Sequence, residues 1–142
     1  MTTKQQTALA ALLSTYQAPP VITLPFKALT RDNDRHALLK RGRGWAIGST
    51  EKYRTSLLAC GHLANAQYAR QGGERLKGSV KLTIVLHEPD KRHRDIGNYV
   101  KMIADALIAI AYIDDSQVDE LIVKRGERDK LNPRAEITVE AL

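Results

Sequence analysis

Apolar and polar positions follow helical and strand periods in separate blocks along the chain. In residues 3–16, Leu9, Leu12, Leu13 and Tyr16 keep the i, i+3, i+4, i+7 spacing of one helix face. Pro19-Pro20 ends that block, because proline lacks the amide a helix needs and restricts the residue before it. Residues 21–25 predict a short strand. Residues 26–48 are charged, contain glycine and show no clear period, which predicts a long loop or a ribbon. A second helix is predicted over 49–71. Ser49 or Thr50 caps its start, Tyr53, Leu57, Cys60, Ala64 and Tyr68 form its stripe, and Gly72-Gly73 stops it.

Over 80–87 the period falls to two. Leu82, Ile84 and Leu86 point one way and Lys81, Thr83 and His87 the other, with Val85 partly burying the second face. A third helix is predicted over 97–111, with Val100, Ile103, Ala104, Leu107, Ile110 and Ala111 as its apolar face. Asn98, Lys101 and Asp105 recur on the opposite side as one exposed stripe. Strands at 118–125 and 134–140 flank a polar turn ending in Asn132-Pro133. This order of elements predicts an α+β class: a single two-layer domain whose mixed or antiparallel sheet is covered by the second and third helices, with an extra N-terminal helix. Residues 1–20 read as a helical extension and 21–142 as the domain.

Composition narrows this picture. A length of 142 residues, 43% hydrophobic and 27% charged, suits one soluble domain with a real core. No apolar run approaches the roughly 18–20 residues that cross a bilayer, and residues 1–16 make a poor signal peptide. Cys60 is the one cysteine, so an intramolecular disulfide or a thiolate cluster is excluded. The expected setting is cytoplasmic and nucleoid-associated, with no membrane partner.

The net charge of +6 suits a polyanion such as nucleic acid. Arg31, Arg35, Arg41 and Arg43 fall in one segment with Lys27 and Lys40, opposed by Asp32 and Asp34. Lys91, Arg92, Arg94 and Lys101 surround a set of carboxylates. These arginines, with Lys91 and Asn98, are the candidate DNA contacts. One Trp and one Phe are too few for a reader that stacks single-stranded bases on aromatic platforms.

The densest chemistry lies in Asp90-Lys-Arg-His-Arg-Asp95-Ile-Gly97-Asn98, then Lys101, then Asp114-Asp115. Carboxylates mixed with cations suit a site for a divalent metal and a phosphate, since the metal takes hard oxygens and the phosphodiester takes positive charge. Lys101 would stabilise charge growing on the phosphate. A helix of about 14 residues is roughly 21 Å long, so Asp95 and Asp115 converge only if the chain returns along the sheet beside residues 80–87. In the plainer alternative Asp95 caps the helix, Asp114-Asp115 forms a turn and Asp105 pairs with Lys101. The four histidines lack metal-ligand spacing.

The segment from Val80 to Val123 resembles the RusA family of Holliday-junction resolvases. The matching residues are Glu88-Pro89-Asp90, Asp95-Ile-Gly97-Asn98, Lys101, Asp105-Ala106-Leu107 and Asp114-Asp115-Ser-Gln117-Val118. Ile22-Thr-Leu-Pro25 is similar to the opening strand, Asn33 falls near a family asparagine, and the resemblance covers about residues 21–140. It implies a homodimeric, Mg²⁺-dependent endonuclease, with Mn²⁺ as a substitute, that nicks four-way DNA junctions symmetrically. By position it implies Asp95 and Asp115 as metal-binding acids and Lys101 as the catalytic lysine, with Asp114 a weaker match. The chain departs at Gly97, where the family pattern has Asp. Either Asp90 or Asp114 substitutes, or the chain is an inactivated variant, or it binds junctions without cutting. The expectation is a resolvase-type fold and surface with weakened cleavage.

Overall fold

The structure, a computed structural model, describes residues 1–31 and 36–142, and for Arg41 the backbone alone. Helix α1 spans Thr3–Thr15. Thr2 and Gln5 form a capping box, each side chain accepting from the other's backbone amide, at 3.2 and 2.8 Å. The predicted apolar stripe is present, but no residue of α1 is buried; Leu12 is 69% exposed. Strand β1 follows at Val21–Pro25. Part of the predicted loop is a ribbon, β2 (His36–Arg41) paired antiparallel with β3 (Gly44–Ser49). Its turn is set by Gly42 at φ +59°, which glycine adopts without a Cβ clash.

Helix α2 covers Glu51–Arg70, capped by the Thr50 hydroxyl, which accepts from Tyr53 N at 3.1 Å. Its stripe of Tyr53, Cys60, Ala64 and Tyr68 is buried. Strand β4 (Val80–His87) alternates buried and half-buried residues along its whole length. Helix α3 (Val100–Ala106), β5 (Val118–Arg125) and β6 (Arg134–Ala141) complete the chain.

The main sheet has the order β1-β6-β4-β5. Strand β6 runs antiparallel to both neighbours, and β4 and β5 are parallel. The fold is therefore the expected α+β domain with a mixed sheet. One sheet face carries Ile22, Leu24, Leu82, Ile84, Leu86 and Ile137 against Met102, Ile103 and Leu107. Each such burial contributes about 1.5–3 kcal/mol of transfer free energy. Helix α2 also closes one sheet edge. Gln67 bonds Thr23 N and O at 2.7 and 2.8 Å, and Gln71 bonds Val21 N and O at 2.9 and 2.8 Å. Two glutamines one turn apart thus satisfy the outer side of β1, while β5 is left as the open edge.

The third helix is shorter than its sequence pattern predicts. Residues Ile96–Tyr99 form a 3₁₀ turn, and α3 ends at Ala106 rather than Ala111. The chain then reverses through Ala109 at φ +67°, whose amide donates to Tyr112 O at 2.7 Å. Tyr112 is fully buried and its hydroxyl donates to Ala104 O at 2.6 Å. Burying Tyr112 beside the helix it has just left outweighs the local helical pattern and folds residues 112–115 back onto the sheet.

Candidate active site

That reversal brings Asp115 to Lys101. Asp115 opens the 3₁₀ turn Asp115–Gln117, which leads straight into β5. Its Oδ2 accepts from Lys101 Nζ at 2.6 Å, and Asp105 Oδ1 accepts from the same ammonium at 2.8 Å. The buried Tyr53 on α2 donates its hydroxyl to Asp105 Oδ2. Lys101 is thus held on both sides, by its own helix and by the turn before β5. Its ammonium pKa is raised, first by Asp105 and then by Asp115. It stays a cation and a hydrogen-bond donor, not a base. The predicted stripe of Lys101 and Asp105 exists, but it is half-buried, facing Tyr53 and Asp115. Beside it lies a cavity of about 310 Å³ walled by Leu82, Val100, Ala104, Val118 and Leu121, with Lys101 and Asp115 in its lining.

The other acids are placed differently. Asp95 caps the 3₁₀ turn, accepting from Gly97 N at 2.9 Å. Asp90 is gripped by Arg94 through both oxygens at 2.7 and 3.1 Å, which holds its carboxyl down at about 2. Asp114 caps the turn before β5 and accepts from Ser116 hydroxyl and amide, which lower its pKa. Among the described residues, no group of three or more His, Cys, Asp or Glu side chains is placed to hold a metal ion.

Gln117 has no catalytic role in the sequence pattern, yet it fixes this corner. Its Oε1 accepts from Ile113 N and Asp114 N at 2.8 and 3.0 Å, and its Nε2 donates to Leu76 O and Gly78 O at 2.9 Å each. This one amide ties the backbone beside the acid pair to the chain before β4.

Glu88 is a second matching residue to which the sequence assigned no role. It is 2% exposed and paired with Arg94 at 3.3 Å and with Arg125. Arg125 also donates to Arg94 O at 2.7 Å, and the Arg94 guanidinium lies 5.3 Å over the Phe26 ring. A signal existed: Glu88 occupies the next inward position after Val80, Leu82, Ile84 and Leu86. Arg94 is therefore a strut inside the loop rather than a free cation. Lys91, Arg92, Arg31 and Arg43 are exposed and Asn98 is half-buried. Arg35 and Asn33 lie outside the described residues, as does the Arg41 side chain.

Compared with family models, the chain matches endodeoxyribonuclease RusA over residues 27–140. It belongs to this family, which is one of Holliday-junction resolvases. A comparison with curated proteins finds no match. No helix among the described residues is long and apolar enough to cross a membrane.

Proposed function

We propose that this chain binds four-way DNA junctions as a homodimer and cuts them weakly or not at all as written. The observation that carries this reading is the Lys101–Asp115 pair at the mouth of a cavity, with a glycine where the family pattern has a second carboxylate. Lys101, held by Asp105 and Asp115, is oriented to donate to a phosphate oxygen and to stabilise its growing charge. Lys91, Arg92, Arg31 and Arg43 supply exposed positive charge for the DNA backbone.

Mg²⁺, or Mn²⁺ in its place, is the cofactor assigned to Asp95 and Asp115. It would polarise the phosphodiester. The donor set falls short of holding it: Asp115 faces an ammonium, Asp90 a guanidinium and Asp114 a serine, and Gly97 has no side chain. A non-catalytic junction-binding protein is the second reading, favoured by the same glycine. The homodimer is supported by the open β5 edge, where Leu121 and Ile122 are 48% and 41% exposed. It is also supported by the near two-fold symmetry of a junction.

The test is a paired assay of this chain and Gly97→Asp on a synthetic four-way junction with Mg²⁺, reading binding and nicking separately. Gly97 has no positive φ, and a Cβ there meets only the Asp95 side chain, at Oδ1 3.3 Å away, a tight contact that Asp95 relieves by shifting a few tenths of an ångström. The expected outcome is equal binding, with symmetric nicking at least about 10-fold faster in Gly97→Asp. Strong cleavage by the chain as written would sink the reading.

A further inference from the structure

Because β4 and β5 are parallel, the segments leaving their C-terminal ends lie side by side. Ligands of parallel sheets sit in the crevice outside such ends. Here the two segments are zipped together, Gly126 N to Leu86 O at 2.9 Å and Asp129 N to Glu88 O at 3.0 Å. Between them is a cavity of about 140 Å³, lined by Lys91, Arg92, Arg125 and Arg128 with Glu88 and Asp90. Both acids are already taken. Glu88 is held by Arg125 and Arg94, and Asp90 by the fork of Arg94. Arg128 and Lys91 have no hydrogen-bond or ion-pair partner among the described residues. The pocket is left with an excess of positive charge and a set of donors that accept nothing. Its volume holds a few waters at about 30 Å³ each, the scale of one phosphate group and short of a nucleotide.

We propose that this pocket is a phosphate subsite, separate from the Lys101–Asp115 cavity, that takes one backbone phosphodiester of the DNA. The proposal rests on the DNA-binding reading above. Glu88 and Arg125 form part of its wall, Arg94 holds Glu88 and Asp90 from behind it, and Lys91 and Arg128 supply the contact. A phosphate seated here fixes the register of the strand and carries no sequence information.

The experiment measures junction and duplex affinity against salt, without divalent metal, for the wild type, Arg128→Gln and Lys130→Gln. Lys130 is an exposed cation of the same connection outside the pocket lining, so it reports on general charge loss. Arg128→Gln should weaken binding about 3–10-fold and flatten the salt slope by about one, while Lys130→Gln does neither. Equal effects from both variants, or none from Arg128→Gln, overturn the subsite. A second arm titrates inorganic phosphate against chloride at matched ionic strength and follows amide shifts of Lys91 and Arg128. Phosphate binding with unchanged DNA affinity in Arg128→Gln would assign the pocket to a free phosphate and overturn the DNA source. A wild type with no preference for four-way junctions over duplex would sink the junction reading, while the Arg128 comparison on duplex still decides the subsite. A thermal midpoint for Arg128→Gln matching the wild type shows that the variant is folded.

Discussion

Lys101 is where charge, geometry and family pattern meet. One ammonium serves two carboxylates from different elements, 2.8 and 2.6 Å away. Neutralising it removes the one permanent cation in the lining of that cavity. In the Gly97→Asp background, Lys101→Gln should lower the single-turnover nicking rate by about 100-fold or more. Junction affinity should change only a few fold, because the proposed backbone contacts are the exposed arginines and Lys91 rather than Lys101. A loss of binding as large as the loss of rate would place Lys101 in binding rather than catalysis. Asp90 and Asp114 illustrate the opposite case. Their spacing in the sequence puts them near the site, but a guanidinium fork and a serine hydroxyl have first claim on their oxygens. Residue type and spacing named the candidates; only side-chain partners showed which carboxylates are already taken as caps and clamps.

Among the elements, the end of α3 decides the site. The apolar spacing through Ile110 and Ala111 continues a helical face, and no glycine marks the stop that occurs at Ala106. An alanine takes the left-handed turn instead, at φ +67°. That conformation costs an L-residue about 1–2 kcal/mol, part of which glycine recovers against its own greater unfolded-state freedom. Ala109→Gly should therefore raise unfolding stability by about 0.5–1 kcal/mol in urea titrations. A destabilised variant would show that the turn is held without strain. The strands of the main sheet were legible because their apolar patterns are local signals, whereas the ribbon β2–β3 lies in a stretch without clear period and was legible only as an alternative to a loop. The reversal at Ala109 was not, because its cause is the burial of Tyr112 against Ala104, a contact made after the helix ends.

For the whole molecule, the uncovered surfaces matter most. One sheet edge is sealed by Gln67 and Gln71, while β5 keeps an open ladder with Leu121 and Ile122 exposed. Helix α1 buries nothing within the chain. Such edges and faces are ordinarily covered by pairing. Sedimentation at micromolar concentration should give about twice the 15.8 kDa chain mass. A single-chain mass would remove the dimer from the functional reading. The matched family span of residues 27–140 begins after β1, so α1 stands outside it.

The sequence by itself determined the class of fold, the four strands of the main sheet, the two long helices, and the segment holding the chemistry. These depend on period, capping and charge composition, which are properties of neighbours along the chain. The tertiary structure decided which acids meet Lys101, which are consumed as caps and clamps, and that Glu88 is a buried keystone of the basic loop. Those outcomes depend on contacts between residues far apart in sequence, Tyr53 with Asp105 and Glu88 with Arg125 among them. No local pattern encodes such a pairing, because its free energy exists only once the sheet and helices have been brought together.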